Sequence, residues 1–113
     1  MAKATETLNE YNRLMGVAAG TDLFQGFIDL CMKGYAASTL DARMNQLILI
    51  CVVIAMNSSD VIILSHVKMY VDAGGTREDL VSALNLCTVA CGGPGLAWGA
   101  VALDAYDEFT AAK

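Results

Sequence analysis

The sequence predicts an all-α fold, a single-domain bundle of about six helices. Three observations carry this reading. Apolar residues recur at helical spacing, with no stretch of strand-like alternation. Ser, Thr or Asp stands ahead of most of the apolar-periodic segments, and glycines stand behind them. A chain of 113 residues has room for one domain and little else.

The first helix is expected over residues 5–15, where Leu8, Tyr11, Leu14 and Met15 fall at helical spacing. Gly16 and Gly20 flank the break that follows. Thr21 can cap a second helix carrying Leu23, Phe24, Phe27, Ile28, Leu30 and Cys31. Gly34 is its expected stop, with residues 36–40 as a linker. Asp41 can cap a third helix over residues 42–56. Its stretch 47–54 is apolar on every side, which predicts a central helix buried all round. β-Branched residues are frequent there, but the stretch continues an unbroken apolar pattern, which favours helix over strand.

Ser58 or Ser59 can cap a fourth helix, which ends at Gly74-Gly75. Thr76 opens a fifth, with Asp79 three residues on as a shortened capping box. Leu80, Ala83, Leu84, Cys87 and Cys91 make its inner stripe. Gly92-Gly93 stop it, and Pro94 suits the first turn of the last helix. That helix carries Leu96, Trp98, Val101, Leu103, Tyr106 and Phe109, with Asp104, Asp107 and Glu108 on its outer side.

Composition narrows the function. Hydrophobic residues make up 56% of the chain and charged residues 17%, which excludes intrinsic disorder. The net charge of −5 and the scattered basic residues argue against a nucleic-acid binder. A small chain buries only about two-thirds of its surface on folding, so this composition predicts an oligomer that covers apolar patches. The uncharged stretch 81–103 is long enough to span a bilayer, but Gly92-Gly93-Pro94-Gly95 breaks it at its centre. No signal-peptide core opens the sequence, so a cytoplasmic protein is expected. Cys31, Cys51, Cys87 and Cys91 contain no Cys-x-x-Cys, and with one histidine they suggest no metal site. They read as four buried thiols.

His66 is the only histidine, and the only side chain whose ordinary pKa lies near neutrality. Its helix neighbours are Ile62, Ile63, Met69 and Tyr70. Ser59, seven residues back, lies about 10.5 Å away along a helix and cannot reach it. Either a packed core histidine or a pocket residue fits this pattern. Gln46, one step before the apolar stretch, marks either a polar pocket or a last exposed turn. The Gly92-Gly93-Pro94-Gly95 run is no phosphate loop, since no Lys-Ser or Lys-Thr follows it.

The segment Leu40-Asp41-Ala42-Arg43-Met44-Asn45-Gln46-Leu47-Ile48 resembles the opening of the core of the carboxymuconolactone decarboxylase family, including its alkylhydroperoxidase-D-like branch. His66-Val67, Gly74, Thr76-Arg77-Glu78-Asp79-Leu80 and Gly92-Gly93-Pro94 follow in the family's order, so the resemblance covers about residues 24–109 of a single domain 1–113. It implies the alkylhydroperoxidase-D-like all-α fold and trimers or hexamers. The peroxidase branch carries a Glu, a Cys-x-x-Cys and a His. Here Gln46, Ser59 and Ile62 stand at the Glu and Cys positions, and only His66 remains, so its thiol relay is absent. The decarboxylase branch does not use the cysteine pair. The resemblance therefore implies a lyase acting on a small carboxylated lactone, as in aromatic-acid breakdown.

In that reading His66 is the catalytic proton donor. Gln46, Ser59 and Tyr70 would line the pocket, and Arg43, Lys68 or Arg77 would bind carboxylate. The expected partners are a small carboxylate or lactone and further copies of the chain, with no cofactor, metal, nucleic acid or membrane. The alternative is a non-catalytic oligomeric binding or scaffold protein of the same family.

Overall fold

The computed structural model describes residues 3–111. Six α-helices follow one another: α1 Lys3–Ala18, α2 Asp22–Ala37, α3 Ala42–Ala55, α4 Asp60–Asp72, α5 Arg77–Cys91 and α6 Gly93–Ala111. The described residues contain no strand.

Short polar side chains set where the helices begin. Thr21 accepts from the backbone N–H of Phe24, Asp41 from that of Met44, and Thr76 from that of Asp79. Ser59 holds the cap position of α4 without a side-chain cap bond. At the other end of α5, Gly92 sits at φ +67°, a conformation that stops a helix and suits glycine. Gly95, in the first turn of α6, lies so near α5 that a Cβ would meet Cys91 Cβ at 2.9 Å and Thr88 Cα at 3.3 Å. That small residue lets the two helices pack closely.

The core lies among α3, α4, α5 and α6. Ile50, Ile63, Val67, Tyr70, Leu80 and Ala102 are fully enclosed there. Tyr70 and Tyr106 pin the α4–α5 turn from inside: their hydroxyls donate to the carbonyls of Thr76 and Gly75, at 2.6 and 2.9 Å. α1 lies over this core through Ala4 and Leu8. Its N-terminus is held by Glu108, whose carboxylate accepts from the N–H groups of Ala4 and Thr5 and from the Thr5 hydroxyl. Glu108 is therefore a helix anchor rather than an outer charge.

Four expectations need correction. α1 continues through Gly16 and α2 through Gly34. A glycine in a helix interior costs only about 1 kcal/mol relative to alanine, and neither of these has the positive φ that would end the helix. α3 is not buried all round, because Met44, Ile48 and Val52 form an exposed apolar stripe. Of the four cysteines only Cys87 is fully buried; Cys31, Cys51 and Cys91 are partly exposed, and all four are free thiols. Among the described residues, no helix is long and apolar enough to cross a membrane.

Candidate functional site

The end of α2 crosses near the start of α3 and the middle of α4, and a cleft of about 480 Å³ opens between them. Cys31, Gly34, Tyr35 and Ser38 line it from the α2 side. Leu40, Asn45, Ile48, Leu49 and His66 complete the walls.

Gln46 organises the polar side of this cleft. It is 5% exposed and is the one buried polar residue among those described. Its Nε2 donates to the Tyr35 hydroxyl oxygen at 3.1 Å. Its Oε1 lies 2.9 Å from His66 Nδ1. An amide oxygen only accepts, so with this orientation His66 Nδ1 carries a proton. In the neutral ring Nε2 then keeps its lone pair, and Nε2 is the nitrogen left for the cleft. Burial also pushes the imidazole below its ordinary value of 6.5. His66 is therefore mainly neutral near pH 7, a base rather than an acid.

Other groups add donors. Tyr35 receives its bond from Gln46 on oxygen, so its own O–H remains free to donate. Ser38 Oγ donates to Asn45 Oδ1 at 2.6 Å and accepts from the backbone N–H of Leu40, which leaves the Asn45 NH₂ as a further donor. The arrangement is one basic nitrogen, a phenol and an amide donor against apolar walls. It suits a small molecule with a carbonyl oxygen and an acidic C–H beside it.

The structure thus brings together two of the residues singled out in the sequence, His66 in the lining and Gln46 buried behind it rather than lining the cleft as expected. It leaves the others outside the lining. Ser59 sits exposed at the start of α4. Tyr70 is fully buried with its hydroxyl committed to Thr76. Arg43 is exposed beside Asp41 at 3.6 Å, and Lys68 pairs with Asp72 at 2.9 Å. No Lys or Arg among the described residues lines the cleft. Tyr35 and Asn45 were not singled out from the sequence. Cys31, Tyr35 and Ser38 share one helix face at i, i+4 and i+7; that stripe becomes visible once α2 is carried past Gly34.

The thiols lie elsewhere. Cys51 and Cys87 line the opposite face of α3, and Cys87 Sγ is 3.9 Å from Cys91 Sγ. Burial first, then hydrogen bonding with Cys91, pushes the Cys87 thiol up to about 12, away from the thiolate a peroxidase needs. No group of three His, Cys, Asp or Glu able to hold a metal occurs among the described residues.

An all-α fold with one histidine set in a cleft by a buried glutamine defines the class of protein. Known proteins narrow it. The chain belongs to the carboxymuconolactone decarboxylase family, whose family model matches residues 21–105. A crystal structure of the apo form of a carboxymuconolactone decarboxylase family protein from Legionella pneumophila superposes with a TM-score of 0.87 at 25% identity, covering 95% of this chain and 96% of that one. Among curated proteins, none matches the chain.

Proposed function

We propose that the protein is an acid–base enzyme of the family, acting on a small lactone or related carbonyl compound with His66 as the base. The observation that supports this is the pair of hydrogen bonds by which Gln46 ties Tyr35 and His66 together at the cleft. His66 Nε2 takes a proton from the carbon beside the substrate carbonyl. Tyr35 O–H and the Asn45 amide stabilise the charge that builds on the carbonyl oxygen. Among the described residues no Lys or Arg lines the cleft to meet a dicarboxylate, and Arg43 and Lys68 pair elsewhere. The reading therefore favours a neutral lactone over a carboxylated one.

The test uses His66→Gln, which keeps a hydrogen-bonding side chain beside Gln46. A panel of small neutral and carboxylated lactones is incubated in D₂O and followed by NMR, with thermal melting in parallel. The wild type is expected to exchange the carbon-bound proton of a neutral lactone. The variant should lose this by about 10²-fold or more while melting within a few degrees of wild type. Binding without exchange would make the protein the family's non-catalytic binder. Exchange that survives His66→Gln would overturn the assignment of His66.

A further inference from the structure

Gly34 is a glycine that the fold does not call for. It lies inside α2, where glycine is a poorer helix former than alanine. Its φ is not positive, unlike those of Gly20, Gly74 and Gly92. No neighbour presses on it either, since a Cβ at this position would meet nothing within 4 Å. Gly95, by contrast, is kept small by its contact with α5. A special backbone conformation and a close approach are the two structural grounds for a glycine, and neither applies to Gly34. Gly16 and Gly26 share this freedom, but of the three only Gly34 lines the cleft.

Cys31, Gly34, Tyr35 and Ser38 stand at i, i+3, i+4 and i+7, which is one face of α2, and all four line the cleft. A side chain at position 34 would therefore project into the cleft between its neighbours on that face. Without one, the α2 wall has a notch beside Tyr35. Leu40, Ile48 and Leu49 make the rest of the wall apolar, and no Lys, Arg, Asp or Glu among the described residues lines the cleft. A group that fills the notch is thus best uncharged and apolar. The cleft volume of about 480 Å³ lies in the range that encloses drug-sized ligands, well beyond what a bare five-membered lactone fills.

We propose that Gly34 sets the selectivity of the site, its missing side chain making room for an apolar substituent on the lactone ring. The inference rests on the functional reading above and narrows its substrate class. In that reading Tyr35 and Asn45 hold the carbonyl oxygen, and His66 Nε2 meets the neighbouring C–H. The γ carbon of a lactone is bonded neither to the carbonyl carbon nor to the carbon that loses the proton. A substituent there leaves both polar contacts untouched and is free to lie against the apolar wall. Taking a phenyl ring out of water into such a place raises affinity by about 10-fold or more. Filling the notch from the protein side removes that gain and leaves the polar contacts in place.

Gly34→Leu fills the notch and Gly34→Ala narrows it. Leucine and alanine are better helix formers than glycine, so each variant should melt no lower than the wild type. The probes are γ-butyrolactone and γ-phenyl-γ-butyrolactone. Shifts of the His66 imidazole signals in proton NMR give affinity, and proton exchange in D₂O gives turnover. The wild type is expected to bind the phenyl lactone about 10-fold or more tighter than the bare one. Gly34→Leu should lose that preference, with its affinity for the bare lactone within about 3-fold of wild type. Gly34→Ala should fall between, and it decides the matter alone if Gly34→Leu melts lower. A wild type without the preference overturns the proposal. So does a variant that keeps it in full, or one that loses affinity for both lactones alike, as a merely structural role would require. Preference in binding without any exchange would remove the enzyme reading and leave the role of Gly34 standing. Exchange of both lactones without preference would do the reverse.

Discussion

Replacing Gln46 by glutamate reverses the electrostatics of the site with a change of one atom type. In the wild type, burial holds His66 below 6.5. The new carboxylate would stand where Oε1 now lies, 2.9 Å from His66 Nδ1. Charge centres about 4 Å apart attract by about 4 kcal/mol at an effective dielectric constant near 20. That corresponds to about 3 pH units at 1.36 kcal/mol each. Burial of the new carboxylate works against this, so the His66 titration should rise by about 1–3 pH units.

The sign of the linkage reverses with it. In the wild type the unfolded chain binds this proton more readily than the folded one. The contribution to stability is therefore present above 6.5 and is lost as pH falls through the depressed folded value. In Gln46→Glu the folded state binds the proton more tightly. The contribution is then present below 6.5 and is lost as pH rises through the raised value. His66 is the only histidine, so its imidazole signals in a proton NMR titration are unambiguous. A wild-type midpoint at or above 6.5, or a Gln46→Glu midpoint that does not move upward, would refute the Gln46–His66 contact as the control of this site.

Three further outcomes follow from the packing. Gly75→Ala would drive a methyl group into the Tyr70 ring; because that ring is pinned by its bond to Thr76, the variant should lose about 1–3 kcal/mol of stability in denaturant unfolding. Glu108→Ala removes the group that holds the α1 N-terminus and should cost about 0.5–2 kcal/mol, with faster amide exchange confined to α1. Burial raises the Glu108 carboxyl, but bonds from Thr5 and Ala4 outweigh it and hold the group below 4.5; α1 should therefore detach as pH falls through that lowered value. Thiol titration should count four free cysteines per denatured chain even after mild peroxide, with Cys87 the slowest to react in the native protein.

What was legible in the sequence follows the range of the interaction. The Thr21, Asp41 and Thr76 caps each act within three residues, and all three are where local chemistry places them. Gly16 and Gly34 misled because a glycine ends a helix by its backbone conformation, which composition does not reveal; Gly92 has that conformation and these two do not. The apolar stripe of α3 reads the same whether its cover is this chain or something else. Met44, Ile48 and Val52 turn out to face outward.

The site is a long-range property. Gln46 and His66 were each distinctive by type, a polar residue at the edge of an apolar run and a lone histidine. Their contact spans 20 positions and depends on how α3 packs on α4. Arg43 and Lys68 stand out in the sequence by charge alone, and nearby Asp41 and Asp72 pair with them away from the cleft. Tyr70 stands out by its place one turn beyond His66. Full burial and its bond to Thr76 give it a structural role instead.

The central claim is that Gln46 fixes the His66 tautomer and leaves Nε2 as the free base of the cleft. Nitrogen-15 NMR of protein labelled at histidine, recorded well above the His66 midpoint, reads this directly, because protonated and bare ring nitrogens have widely separated shifts. The account predicts a protonated Nδ1 and a bare Nε2, with Nε2 the nitrogen whose signal moves when a small lactone is added. A protonated Nε2 with a bare Nδ1 would contradict it.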